Sequence, residues 1–192
     1  MMRLLFLILF AAVPLEAASN IEGRVVVRGA RDSGNAVVYI DAIPGKRFTP
    51  PVVPIVLDQI NLTFVPHVLA VLAGTKVAFP NSDEVRHNVF SPGPVKFNLG
   101  TYARNTTLYR TFDKSGVVTL LCNVHAEMSA YVIVTDTPYF AVTDRQGRFT
   151  LKDVPPGKYV LKVWHEPSRT ASIEMMVGEG AAVILPPIEL KR

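Results

Sequence analysis

Apolar positions along this chain come in short bursts, many of them alternating with polar ones, and Gly, Pro, Asn and Asp break the bursts apart. Alternation at a period of two marks a strand with one buried face. The pattern predicts strands over 23–27 and 36–40 around a turn at Arg31-Asp32-Ser33-Gly34. It predicts others over 61–65, 68–72 and 76–79, with Gly74 at a turn, then over 88–90, 106–112, 117–121 and 130–134. A last set is expected over 141–143, 148–151, 159–164, 172–177 and 183–185. Helical periodicity is scarce. Many short strands at close spacing predict an all-β fold, a sandwich or a barrel. The Pro-rich stretch 47–54 predicts a linker.

The first residues break this pattern. Arg3 precedes an apolar run from Leu4 to Val13, followed by Pro14 and a small-residue exit at Ala17-Ala18. This predicts a signal peptide over 1–18 and a periplasmic or secreted mature chain. The run is too short to span a bilayer, and no later segment is apolar for long enough, so no stable membrane insertion is expected after cleavage.

Composition narrows the picture. At 192 residues the chain is long enough for one large or two small domains. It is 49% hydrophobic and 19% charged, which describes a packed globular protein. The net charge of +4 is not gathered into a basic stripe, so nucleic acid is not an expected partner. Exported proteins use cysteine mostly in pairs, yet Cys122 is the single cysteine. An unpaired thiol in an oxidising compartment is a liability unless it is buried or bound to a metal.

The neighbours of Cys122 supply candidate partners. A strand ends at Cys122, and a short loop then presents His125 and Met128. Earlier, the segment from Asn81 to Phe90 presents His87 where a loop enters a strand. Thiolate and thioether are soft and suit Cu(I), whereas imidazole suits both oxidation states. A trigonal His₂Cys plane with a weak axial Met is the geometry of electron-transfer copper. Zinc is a rival ion, although a Met is not a usual zinc ligand. The bland alternative makes Cys122 a small buried hydrophobe and Met128 core filler.

With these residues in view, the chain resembles the cupredoxins. The C-x₂-H-x₂-M spacing of Cys122, His125 and Met128 is similar to the short ligand loop of amicyanin and pseudoazurin. Phe64-Val65-Pro66 and the run Ala73 to Asn81 resemble the family's framework, and Tyr131 to Val134 its closing strand. The resemblance implies a Greek-key β-sandwich over 53–135 with one mononuclear type 1 copper centre. His87, Cys122, His125 and Met128 would be its ligands, and Asn88 would tie the ligand loops together. It also implies a redox partner such as a dehydrogenase or cytochrome, met at the edge of His125 within an apolar rim of Val124 and Ala126. The family often has Pro where Ala126 stands, and the stretch from His87 to Cys122 is longer than a minimal domain needs. His67 and His165 are expected not to bind the metal, and Glu127 is expected to face solvent.

A second resemblance covers the remainder. Asp144-Arg145-Gln146-Gly147-Arg148-Phe149 and Pro155-Pro156-Gly157-Lys158-Tyr159-Val160-Leu161 resemble the turn and hairpin of carboxypeptidase-regulatory-like (transthyretin-like) domains. The segments 22–27 and 35–40 resemble the first half of such domains. This implies a second small β-sandwich, discontinuous over 20–46 and 137–192, with the copper domain inserted; one elongated sandwich is the alternative. No nucleophile with a base and an oxyanion hole is visible, so the chain is not expected to be an enzyme. Two rivals to electron transfer remain: a copper chaperone or storage module, and a purely structural β-sandwich protein.

Overall fold

The computed structural model describes residues 17–167 and 169–191. All but the last two residues of the expected signal peptide lie outside that range. The described residues form strands, turns and loops, with no helix among them. The all-β expectation therefore holds.

The chain starts in one pair of sheets, leaves it and comes back. β1 (Ser19–Val27) and β2 (Val37–Ile40) come first. The excursion runs through β3 (Ile55–Val56), β4 (Asp58–Ile60), β5 (Thr63–Val65), β6 (Val68–Leu72), β7 (Thr75–Pro80), β8 (His87–Ser91), β9 (Phe97–Tyr102), β10 (Thr107–Phe112), β11 (Gly116–Leu121) and β12 (Ser129–Thr135). The return comprises β13 (Phe140–Val142), β14 (Arg148–Val154), β15 (Gly157–His165), β16 (Arg169–Val177), β17 (Val183–Ile184) and β18 (Ile188–Leu190).

The excursion makes a sheet in the order β10-β7-β3, a larger one in the order β6-β12-β11-β8-β9, and the short β4-β5 hairpin. Their inward side chains, Phe79, Phe112, Leu120 and Val132 among them, form one buried core. The first and last strands make sheets in the orders β14-β1-β17 and β13-β2-β15-β16, with β18 also on β1. Ile21, Val25, Val38, Phe149, Leu161 and Val163 belong to the core of this part. A period of two is visible in β14, where Phe149 and Leu151 are buried and Thr150 is exposed.

β12 does not alternate. Ala130, Val132 and Val134 enter the first core, while Ile133 joins Val37, Val68, Ala70 and Trp164 in a smaller cluster between the two parts. A strand covered on both faces has no use for polar positions, hence its nearly unbroken apolar run. Tyr131 packs against Trp164 with ring centroids 5.0 Å apart and planes tilted by 57°. His67 reaches Ser129 O at 3.0 Å and Glu166 Oε2 at 2.9 Å, so one imidazole links β12 to the segment after β15.

Most strands fall within a residue or two of expectation. β3, β4, β9 and β18 were not expected. The first two and the last are only two or three residues long. β9 carries Asn98 and Gly100, both strand breakers by composition, and Gly100 sits at φ 79°. The Pro-rich stretch 47–54 forms no strand, and Val52 within it is 94% exposed.

Candidate metal centre

Two places in the larger sheet build the site. β8 opens with His87, which is fully buried. Next to it, β11 ends at Leu121 and delivers Cys122, 4% exposed, into the turn that leads to β12. That turn is closed by its own backbone: Met128 N donates to His125 O at 3.1 Å and Cys122 N to Met128 O at 3.3 Å. The closure carries His125 back toward Cys122 and buries Met128, 1% exposed, in the core that also holds Cys122.

His87, Cys122 and His125 converge, with one ligand atom from each within 4.8 Å of the others. Nδ1 of His125 lies 3.1 Å from Nδ1 of His87, and Sγ of Cys122 lies 4.0 Å from the latter. Bonds to a first-row metal run about 2.0 Å from nitrogen and about 2.3 Å from sulfur, so donors sharing one ion stand no more than about 4.3 Å apart. Both of these separations meet that limit. The widest spread in the group requires a side-chain shift of roughly half an ångström to meet the same limit.

The protonation pattern sharpens the test. Asp83 Oδ2 lies 2.7 Å from His87 Nε2. An ionised carboxylate only accepts, so this contact pairs it with Nε2–H and leaves Nδ1 as the ring atom that faces His125 and Cys122. Two facing lone pairs at 3.1 Å repel, so a proton or a metal cation must lie between them. Two imidazoles and a buried sulfur are donors that fit copper better than a hard ion, and the Met128 thioether is buried in the same core as Cys122.

Asp83 is itself held by the chain. Its carboxylate accepts the backbone N–H of Asn61 at 2.6 Å and of Leu62 at 2.9 Å. Both residues sit at positive φ, 54° and 58°, in the turn between β4 and β5. Burial pushes the Asp83 carboxyl up, but the Leu62 amide, the His87 ring and the Asn61 amide outweigh it and hold it below the usual carboxylate range. Asn81 shapes the same loop: its Nδ2 donates to Val85 O and Tyr102 O, and its Oδ1 accepts from Asp83 N. That network gives the framework Asn a structural reason. Asp83 was not singled out from sequence. Its position four residues before His87, with an Asn-containing turn upstream, is the signal that could have found it.

Other expectations meet the geometry unevenly. Asn88 does not tie the ligand loops through any described hydrogen bond. Its Nδ2 donates instead to Asn98 Oδ1 at 2.7 Å and Gly100 O at 2.9 Å, both on the unexpected β9. His67 is outside the cluster, with its two ring nitrogens turned to Ser129 and Glu166. His165 is 8% exposed and bonds Glu166 O, also outside the cluster. Glu127 and Ala126 are exposed, and Val124 is 47% exposed beside His125, which is itself half-buried.

No protein-family model matches the sequence, and no curated protein matches it. The similar solved structures are cupredoxins, at low identity and over part of the chain. The Cu-containing nitrite reductase of Thermus scotoductus SA-01 is 24% identical over 51% of this chain, with a TM-score of 0.42. The match spans a quarter of the reductase's own length, 25%. A purple cupredoxin of Nitrosopumilus maritimus is 21% identical over 42% of this chain and 99% of its own, with a TM-score of 0.40. Amicyanin from Paracoccus versutus is 20% identical over 44% of this chain and 83% of its own, also at a TM-score of 0.40.

Proposed function

We propose that this chain is an exported carrier of single electrons, built around one mononuclear type 1 copper centre. His87, Cys122 and His125 would form the trigonal plane, and Met128 the weak axial position. The observation that carries this reading is the meeting of two imidazole Nδ1 atoms 3.1 Å apart with a buried cysteine sulfur. Bound copper would supply a one-electron couple between Cu(I) and Cu(II).

The protein's own part would be to hold the donors still and dry. His87 and Cys122 are anchored at strand ends, and His87, Cys122 and Met128 are each no more than 4% exposed. A donor set that cannot relax changes little between oxidation states, which favours fast electron exchange. His125, half-buried beside exposed Val124 and Ala126, would be the point of electron entry and exit. A protein partner such as a dehydrogenase or cytochrome would dock there. On this reading the chain is not an enzyme. We also propose the division into a copper domain over 53–135 and a carboxypeptidase-regulatory-like sandwich over 20–46 and 137–192, with export directed by residues 1–18.

The test is electrochemical. The purified mature chain, loaded with one equivalent of copper, is expected to show a reversible one-electron couple at an electrode. Tight Cu(I) retention without such a couple would contradict electron transfer and favour a chaperone or storage role. No stoichiometric copper at all would remove the metal reading.

A further inference from the structure

We infer that Asp83, clamped by the β4–β5 turn, is a positioning residue that locks His87 in one tautomer and sets the charge behind the proposed copper ligand. The ligand-tuning half of this inference rests on the function proposed above, whereas the tautomer lock does not.

The argument begins with the turn. Asn61 and Leu62 both adopt positive φ, a conformation that is unfavourable for a residue such as Leu. In that conformation the two successive backbone N–H groups are shared by one carboxylate, that of Asp83. Paired amides of this kind make a small anion-binding concavity. Asp83 N is held by Asn81 Oδ1 at 3.0 Å, so the backbone of the residue is fixed as well as its side chain. The carboxylate is thus anchored before it meets His87, and its side chain is only 12% exposed.

The remaining capacity of the carboxylate points at the ring. Oδ2 accepts from His87 Nε2 at 2.7 Å, a short charge-assisted bond, and His87 is fully buried. A buried imidazole with no anchor can place its proton on either nitrogen. With Nε2–H committed to Asp83, Nδ1 is left as the electron pair that faces Cys122 and His125. A carboxylate behind a ligating histidine also makes the ring more electron-rich, and such partners matter about 10–100-fold to metal affinity. The extra negative charge favours the more positive oxidation state, so Asp83 would stabilise Cu(II) over Cu(I).

The experiment uses the full mature chain, metal-free and copper-loaded, as wild type, Asp83→Asn and Asp83→Ala. In the metal-free wild type, ¹⁵N NMR of the histidine rings is expected to show His87 as the Nε2–H tautomer with a slowly exchanging proton. Asp83→Asn should keep that tautomer, because the amide oxygen still accepts, while Asp83→Ala should lose the lock. In the copper-loaded protein, Asp83→Asn should keep the blue band and weaken Cu(II) binding about tenfold relative to Cu(I), a rise in reduction potential of about 59 mV. An Nδ1–H tautomer in the wild type, or an unchanged tautomer and exchange rate in Asp83→Ala, would overturn the lock. A potential in Asp83→Asn equal to that of the wild type would overturn the tuning role. A wild type that shows the lock but takes up no blue copper would support the lock and remove the copper reading instead.

Discussion

At the scale of single residues, Cys122 and Met128 look alike: both are buried, both contribute to one core, and neither announces a metal on its own. What separates a ligand from core filler is the neighbour it faces. Cys122 Sγ lies 4.0 Å from His87 Nδ1. Met128 lies behind the same backbone-closed turn, and its proposed axial role makes a clean prediction. Met128→Leu keeps nearly the same volume and should cost the metal-free fold less than about 1.5 kcal/mol in urea unfolding. In the copper-loaded protein it replaces a weak axial donor by hydrocarbon, and a drier, more apolar site disfavours the higher charge of Cu(II), so the reduction potential should rise. An unchanged potential would take Met128 out of the coordination sphere. Cys122, His125 and Met128 were legible in sequence because their spacing after a strand end is short-range, and His87 because it stands where a loop enters a strand. Asp83 was not, because its meaning depends on a turn some twenty residues upstream, at Asn61 and Leu62.

At the scale of elements, tight turns explain why certain motifs recur in the last part of the chain. The segment from Asp144 to Phe149 is a turn in which Asp144 Oδ1 accepts the backbone N–H of Gln146 and of Arg148, and Gly147 N donates to Asp144 O. Gly147 sits at φ 81°, and a Cβ there would stand 2.0 Å from Val25 O. Val25 N in turn donates to Gly147 O at 2.8 Å, so the glycine is pressed against β1. Gly147→Ala combines strain with a clash against backbone, and strain alone costs on the order of 1–3 kcal/mol. Its thermal midpoint should fall by several degrees, whereas the copper spectrum should not change. A midpoint within a degree of wild type would contradict this account of the turn. Strands with alternating patterns were readable, but β9 was hidden by Asn98 and Gly100. The missed strand also explains the misplaced expectation for Asn88, because β9 supplies the partners that its amide takes.

At the scale of the whole molecule, the chain leaves one pair of sheets and returns to it, and the two parts share an aromatic junction. Trp164 is 4% exposed and packs with Tyr131, while His67 and Glu166 meet at 2.9 Å beside it. Local patterning made the two sets of strands visible. It did not reveal that β12 gives one face to the first core and the other to the cluster between the parts, because Ile133 meets Val37 and Trp164 from segments far away in sequence. The turn between β11 and β12, which carries the candidate ligands His125 and Met128, is thus mounted on the strand that both parts cover. The most direct test of the central claim is spectroscopic. Visible absorption and electron paramagnetic resonance would be recorded on the mature chain loaded with one equivalent of Cu(II), beside Cys122→Ser. An intense blue thiolate-to-copper band with compressed copper hyperfine splitting, absent from Cys122→Ser, is the result this account predicts. A pale spectrum with ordinary splitting, or one that Cys122→Ser leaves unchanged, would contradict it.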